Sequence, residues 1–248
     1  MQLDRQQIAN CRAALPDAPR WVETRWMLAA EDVAVFAEAG SETSNFVVRG
    51  CGGELLSAVG DPAARVILEA IAGADEEAEL LSDAPPSDRL VEALAGWEAE
   101  EATLYGLPAD VEKEIRGAEG RMVAGAEIAP VSRDQAGLLD GLPAELRHEL
   151  GAAIVRTTLM AAWIDGRPVA FSYAAAETET WWDVSVDTLE AYRGRGYAAA
   201  VAATLVERYR REGKRAAWGA VASNAASQRV AAKLGFEPVD RLTLFERS

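Results

Sequence analysis

Residues 182–205 read WDVSVDTLEAYRGRGYAAAVAATL, and the reading of this stretch decides the fold. It opens with Trp182, Val184 and Val186 alternating against Asp183, Ser185 and Asp187, a period of two that predicts a strand with one buried face. Residues 189–192 lead into Arg193-Gly194-Arg195-Gly196-Tyr197-Ala198. An Ala-rich run then continues to Tyr209 without Gly or Pro, its apolar residues at helical spacing. The order is strand, Gly-rich turn, helix. Such a turn presents unpaired backbone N–H groups at a helix N-terminus, where the macrodipole adds partial positive charge, and so suits a phosphate or pyrophosphate. Gly194 and Gly196 let the main chain approach a ligand, and Ala198 keeps the first helical turn slim. Arg193 and Arg195 add charge-assisted contacts of roughly 1.5–3 kcal/mol each where desolvated. Taken alone, the turn fits equally a helix that simply begins after a Gly-rich loop.

The spacing excludes two common phosphate binders. No Gly-Lys-Ser/Thr closes the turn as in nucleotide hydrolases, and Ala199 stands where the dinucleotide fingerprint has its third Gly. Downstream, Asn224-Ala-Ala-Ser227 opens a second predicted helix that ends in Lys233-Leu234-Gly235-Phe236. These residues, with Arg193, Gly196 and Ala198, resemble the Arg/Gln-x-x-Gly-x-Gly/Ala turn and the Asn-x-x-Ala/Ser … Lys-Leu-Gly-Phe segment of the GNAT family of N-acetyltransferases. The resemblance is firmest over residues 167–248. It implies acetyl-coenzyme A as cosubstrate, with its pyrophosphate on the amides of residues 193–198. It also implies that the pantetheine arm lies along the backbone of Val186, Asp187 and Thr188, with Asn224 and Ser227 among the contacts. Asn224 serves equally well as a helix cap.

Composition agrees with a globular protein with a sizeable core. The 248 residues are half apolar, enough for one large domain or two small ones. No run approaches the roughly 18 apolar residues of a membrane helix, and the N-terminal MQLDRQQIANCR lacks the apolar core of a signal peptide. Two cysteines and one histidine are too few for a disulfide framework or a zinc cluster, so a cytoplasmic, metal-free protein is expected. A net charge of −15 argues against nucleic acid and mildly favours a cationic acceptor. Against that balance, Arg193, Arg195, Arg208, Arg210, Arg211, Lys214 and Arg215 bunch around the proposed cofactor helix, as a ligand with several phosphate charges would require.

Elsewhere the patterns predict a helix over 4–15 capped by Asp4, and strands over 21–29 and 44–49. An α/β rhythm follows: strand 55–59, helix 63–72, strand 78–81, helix 87–98 capped by Ser87, strand 102–107. That order repeats in the segment 183–245. An internal duplication is therefore expected, residues 1–118 forming an α/β lobe that is a degenerate copy of the acetyltransferase lobe over 119–248. An unrelated α/β cap is the competing reading. In the first lobe the corresponding turn is Gly60-Asp61-Pro62-Ala63-Ala64-Arg65, where Asp61 puts an anion at the phosphate position and Pro62 removes an N–H. Helices are predicted over 109–118, 132–141 and 144–153, and a strand over 121–128. Asp165-Gly166 between two apolar runs predicts a hairpin of strands 157–164 and 167–174. Helix 192–211, strand 215–221, helix 224–234 and strand 242–245 complete the chain. The fold class is α/β of the α+β kind: a mixed, mostly antiparallel central sheet flanked by helices.

The implied chemistry is acetyl transfer to an amine of a small molecule or peptide, by direct attack in a ternary complex. No Cys lies near the cofactor strand to carry the group. An alkyl ammonium has a pKa of about 10.4, so a carboxylate helper is needed near pH 7. Glu177, Glu179 and Asp183 sit just before or on the cofactor strand and share a face if the strand reaches back that far. Asp183 has the best position and Asp187 is a loop cap. The family takes an oxyanion donor from this strand, which points to the Val186 N–H. Its thiol-protonating Tyr, seven residues after the Asn of the second motif, falls here on Ala231. That departure keeps a second reading open, a non-catalytic acyl-coenzyme A sensor. Trp163, Trp181 and Trp182 wall an acceptor pocket or pack as core. Neither nucleic acid nor membrane is an expected partner, and the assembly is a monomer or homodimer.

Overall fold

The computed structural model describes residues 1–83 and 85–247. In chain order the elements are α1 (Arg5–Ala14), α2 (Val22–Leu28), β1 (Ala34–Ala37), β2 (Phe46–Arg49), β3 (Leu55–Val59), α3 (Ala64–Ile71), β4 (Glu79–Ser82), α4 (Asp88–Ala93), β5 (Trp97–Gly106) and α5 (Ala109–Glu114). There follow β6 (Met122–Val123), β7 (Ala126–Pro130), α6 (Ala144–Arg156), β8 (Met160–Ile164), β9 (Arg167–Glu177), β10 (Trp181–Thr188), α7 (Tyr197–Arg211), β11 (Arg215–Val221), α8 (Ala225–Lys233) and β12 (Glu237–Arg247). Strand pairing is mixed and mostly antiparallel: β3–β4 and β10–β11 run parallel, whereas β1–β2, β2–β3, β6–β7, β7–β8, β8–β9, β9–β10 and β4–β12 run antiparallel. The expected fold class is the observed one.

Several expectations on element type are corrected. Residues 21–29 are not a strand. Pro19 starts a 3-10 turn that passes into α2, whose Val22, Thr24, Arg25, Met27 and Leu28 are buried. The strand β1, only four residues long between the polar Glu31-Asp32 and Gly40, was not among the predicted elements. The helix after Ser87 stops at Ala93, because Trp97 onward is drawn into β5. Residues 133–139 form a 3-10 helix rather than an α-helix, and the predicted strand over 121–128 is a hairpin of β6 and β7. The cofactor helix begins at Tyr197, not Tyr192, since residues 190–192 form a separate 3-10 turn.

Contacts divide the chain into two compact units. The first comprises Met1–Leu104, Gly219–Ser223 and Val239–Ser248. Its helix α1 carries the predicted Asp4 cap, which the structure extends to a capping box: Asp4 Oδ1 accepts from the Gln7 N–H at 2.8 Å while Gln7 Oε1 accepts from the Asp4 N–H at 3.0 Å. Two apolar clusters cover opposite faces of its strands. One gathers Val47, Leu56, Ile67, Leu80 and Phe245 under α3 and α4; the other gathers Cys11, Met27, Val35, Phe46 and Val48 under α1 and α2. The turn after β3 is closed by the unit's own side chains. Asp83 Oδ1 accepts from the Gly60 N–H at 2.8 Å, and Asn45 Oδ1 accepts from the Asp61 N–H at 2.9 Å. Asp61 in turn accepts from Ser87 Oγ at 2.7 Å and pairs with Arg89 at 3.3 Å.

The second unit comprises Tyr105–Trp218 and Asn224–Pro238. The strands β8 and β9 form the expected hairpin, with Asp165 and Gly166 both at positive φ (49° and 75°), as a two-residue type I′ turn requires. On one face of the sheet α6 packs on Phe171 and Tyr173. On the other, α7 stacks Tyr209 against Trp182, ring centroids 4.4 Å apart. The tryptophans therefore share no single pocket. Trp182 and Trp218 are buried, Trp181 carries the Arg215 guanidinium 4.3 Å above its ring, and Trp163 donates to the Ala129 carbonyl at 3.0 Å. Core packing is their use.

Candidate active site

The candidate site is built on β10. Its parallel pairing with β11 spans Trp181, Trp182 and Asp183 and goes no further among the described residues, whereas its antiparallel pairing with β9 continues to Thr188. From residue 184 onward the β11-side edge of β10 thus keeps backbone groups for another partner. Val186, Asp187 and Thr188 all lie on this free stretch.

At the end of β10 the chain turns through residues 189–196 into α7. Gly196 is the N-cap residue at φ 86°, ψ 6°, and no side chain caps the helix. The leading amides of α7, from Tyr197 and Ala198 on, therefore face outward without an intrahelical acceptor. Gly194 has φ 77°, and Arg193, Gly194 and Arg195 are exposed. Arg193 Nε donates to the Thr188 carbonyl at 3.3 Å, and Arg195 donates to the Ala191 carbonyl at 3.3 Å while lying over the Tyr192 ring. Both guanidiniums are held beside the turn by contacts that leave further donors available. A Cβ built on Gly196 would lie 3.7 Å from the Lys233 ammonium, which adds a third cation. Tyr197 itself is buried and its hydroxyl donates to the Ala124 carbonyl at 2.9 Å, so its side chain anchors α7 to the β6–β7 hairpin and only its amide faces the turn.

Helix α8 brings Asn224 and Ser227 together at its N-terminus. Asn224 Oδ1 accepts from the Ser227 N–H at 3.0 Å, and Ser227 Oγ accepts from the indole N–H of buried Trp218 at 2.8 Å. Both side chains fix the start of α8. Ala231, one turn further on, is fully buried.

The carboxylates separate. The strand does not extend back through Glu177 and Glu179, as a common face for the three would need. Glu179 lies exposed in the turn between β9 and β10, outside either strand. Glu177 ends β9, where one extra residue between Glu177 and Ala174 opposite Asp183 turns it to the face of Trp182. There its two oxygens accept from Tyr209 Oη and Lys214 Nζ, each at 2.6 Å. Asp183 is half-buried on β10, and the even spacing puts Asp183, Ser185 and Asp187 on the face opposite α7. Tyr173 stands across from Ser185 in the β9–β10 register and is hydrogen-bonded to its hydroxyl. Tyr173 Oη also donates to Glu149 Oε2 of α6 at 2.8 Å. Asp187 is not a loop cap. Burial and the negative charge of Glu149 push its carboxyl up to about 6, against the opposing pull of Arg193. Burial likewise raises the Tyr173 hydroxyl, so this phenol stays protonated. Glu149 and Tyr173 did not stand out in the sequence. The alternation of β10 placed Ser185 beside Asp187, but only strand register supplies Tyr173 and only helix packing supplies Glu149.

Residues 160–245 match the family model of the GNAT acetyltransferases. Solved structures share the fold over nearly the whole chain. A GCN5-related N-acetyltransferase-like protein from Streptococcus suis is 17% identical, with 98% of each chain covered and a TM-score of 0.73. A GCN5-related N-acetyltransferase from Kribbella flavida is 15% identical, covering 96% of this chain and 95% of its own, with a TM-score of 0.62. A tandem GNAT protein from the clavulanic acid biosynthesis pathway, solved without acetyl-coenzyme A, is 15% identical over 100% and 98% of the two chains, with a TM-score of 0.63. No curated protein matches the sequence significantly. Among the described residues no helix is long and apolar enough to cross a membrane.

Proposed function

Since residues 160–245 are a GNAT acetyltransferase domain, we propose that the protein moves an acetyl group from acetyl-coenzyme A to an amine of a small molecule or peptide, by direct attack in a ternary complex. The observation that carries this reading is the uncapped start of α7, entered through Gly196 at positive φ and flanked by Arg193, Arg195 and Lys233. The residues present fit the group. Amides of residues 193–198 hold the pyrophosphate, where helix-terminal N–H groups and cations act together. Val186, Asp187 and Thr188 offer main-chain groups to the pantetheine along the free edge of β10, and Asn224 and Ser227 border it from α8.

Acetyl-coenzyme A supplies an activated acyl carbon; this chain supplies position and proton handling. The Val186 N–H steadies negative charge on the carbonyl oxygen. Asp183, Ser185 and Asp187 lie on the face of β10 opposite α7, and the amine is read as meeting the thioester from that side, beside α6. Asp183 on that face and Glu179 in the turn before β10 are the carboxylates proposed to help, by taking the proton that frees the amine for attack.

One observation favours a second reading. Ala231 has no hydroxyl where the family commonly keeps its thiol-protonating Tyr, as an acyl-coenzyme A sensor could afford. Release of free coenzyme A thiol, followed across simple amines, polyamines, aminoglycosides and peptide N-termini, separates the two. Turnover with any of them supports the transferase; tight cofactor binding with no turnover supports the sensor.

Residues 1–118 are further read as a degenerate copy of 119–248. The series β3–α3–β4–α4–β5 parallels β10–α7–β11–α8–β12, with an antiparallel pair followed by a parallel pair in each. In this copy Asp83 and Asn45 already accept from the amides of Gly60 and Asp61, and Pro62 has no N–H, which leaves the turn before α3 fewer donors for a pyrophosphate.

A further inference from the structure

We propose that the C-terminal half of α7 carries a second anion site, formed by Arg116, Arg121, Arg208 and Arg211, which takes the phosphate of a small phosphate monoester other than the cofactor. It lies apart from the groups assigned above to acetyl-coenzyme A.

The cations that the sequence bunches around α7 separate by partner. Lys214 Nζ binds Glu177 at 2.6 Å, Arg215 lies 4.3 Å over the Trp181 ring, and Arg210 and Arg215 act together on the buried Glu112. Arg208 and Arg211 remain. Three residues apart, they share a face of α7, and they line one cavity with Arg116 and Arg121 from the chain between α5 and β6. Its volume is about 190 Å³. Close main-chain contacts build its floor. The Gly117 N–H donates to Glu207 Oε2 at 2.7 Å and the Ala118 N–H to Thr204 Oγ1 at 2.9 Å. A Cβ on Gly117 would stand 2.8 Å from the Thr204 Cα, so only glycine lets the segment sit this close to α7. Beyond it, the Gly120 N–H donates to the Ile128 carbonyl of β7 at 2.7 Å. The backbone that carries Arg116 and Arg121 is thus fixed against α7.

Only half of these cations are compensated. Arg211 pairs with Glu207 at 2.8 Å and Arg208 reaches Glu212 at 3.6 Å. Arginines in the last turns of a helix complement the negative end of its dipole, which accounts for these two without a ligand. It does not account for the other two. Arg116 and Arg121 have no carboxylate within 4.0 Å among the described residues. Arg116 gives one terminal nitrogen to the Lys113 and Ile115 carbonyls, which leaves its remaining donors unused. Of the carboxylates lining the cavity, Glu207 already accepts on both oxygens, and the exposed Glu119 opposes an anion. Two unpaired guanidiniums match a phosphate monoester, which carries about −1.5 to −2 at pH 7, and their planar forks meet its oxygens in pairs. The cavity is several times the roughly 30 Å³ share of a liquid water, so part of the esterified group enters as well. The cofactor turn is a different place. None of residues 193–198 lines the cavity, and Arg208 lies about 16 Å along α7 from Tyr197 at roughly 1.5 Å per residue.

Amide NMR of the full chain, titrated with phenyl phosphate, locates the site. Coenzyme A is present at saturation, so that the turn before α7 is filled. Saturable shifts are expected at the Gly117, Ala118 and Arg121 amides, tightening as pH rises through about 6 and the phosphate takes its second charge. Arg116→Gln/Arg121→Gln should weaken binding by about tenfold or more with the spectrum still dispersed. Glu119→Gln, which removes the opposing charge, should tighten binding, and it decides the matter alone if the double variant does not fold. Replacing coenzyme A by dephospho-coenzyme A separates the two sources of phosphate. Equal affinity for phenyl phosphate in both supports a separate ligand; weaker binding in coenzyme A assigns the cavity to the cofactor's own phosphate and overturns the proposal. So do shifts confined to residues 193–198, no saturable shift at 117–121, or an affinity that the charge replacements leave unchanged. The free protein should give the same shifts at 117–121, so failure of coenzyme A to bind would defeat the transferase reading and not this one.

Discussion

Gly196 shows how one residue joins local geometry to the site. Its φ of 86° is open to glycine and costs an L-residue roughly 1–2 kcal/mol. A Cβ there would meet only the Lys233 ammonium at 3.7 Å, an ordinary contact, so the cost is one of backbone alone. Gly196→Ala should therefore lower stability by about 1 kcal/mol, and Gly196→Asn by less, because Asn tolerates this region better. Thermal unfolding of the two variants checks the order. Asp187 presents the opposite case, a residue that costs stability. Its carboxyl is pushed up to about 6 by burial and by Glu149, above the unfolded value of 3.8. A raised carboxyl pKa means the folded state binds the proton more tightly. The associated stability is present below the unfolded value and is lost as pH rises from about 4 through 6. Asp187→Asn is expected to stabilise the protein above pH 7, by on the order of 1–2 kcal/mol allowing for solvent screening. That advantage should fade as pH falls toward 4. Equal unfolding midpoints for parent and variant at pH 8 would contradict it.

At the scale of elements, α8 depends on a short relay at its start. Asn224 caps the helix, and Ser227 satisfies the indole N–H of buried Trp218. Ser227→Ala leaves that donor buried without a partner and should cost about 1–3 kcal/mol, more than the roughly 1 kcal/mol of Asn224→Ala. Chemical denaturation of the two variants compares them, and a larger loss for Asn224→Ala would contradict the relay. Elements with local signals were the legible ones: the Asp4 cap, the Asp165-Gly166 hairpin, the alternation of β10 and the Gly-rich turn before α7. Residues 21–29 were misread because helix α2 is short and its apolar residues fall in two blocks on either side of Glu23-Thr24-Arg25, so period could not separate helix from strand. The site divided in the same way. Turn chemistry exposed residues 193–198, whereas the role of the carboxylates hung on the extra residue in β9, which no sequence pattern marks. That single insertion takes Glu177 from the acceptor face to Lys214 and Tyr209.

For the whole molecule, the charge balance and the two turns after β3 and β10 make one argument. A chain of net charge −15 repels an anionic cofactor in general, so affinity must come from a local concentration of donors. The turn before α7 has them, in free amides and three cations. The turn after β3 has given the amides of Gly60 and Asp61 to Asp83 and Asn45, lacks an N–H at Pro62 and carries the Asp61 charge besides. One cofactor site per chain follows, and its affinity should fall with added salt as phosphate–cation contacts are screened. Calorimetric titration of acetyl-coenzyme A into the parent and into an Arg193→Ala/Gly196→Ala double variant is the most direct measurement. A single site per chain, weakened at least thirtyfold in the double variant (about 2 kcal/mol), is the expected result. Two sites per chain, or unchanged affinity in the double variant, would contradict it.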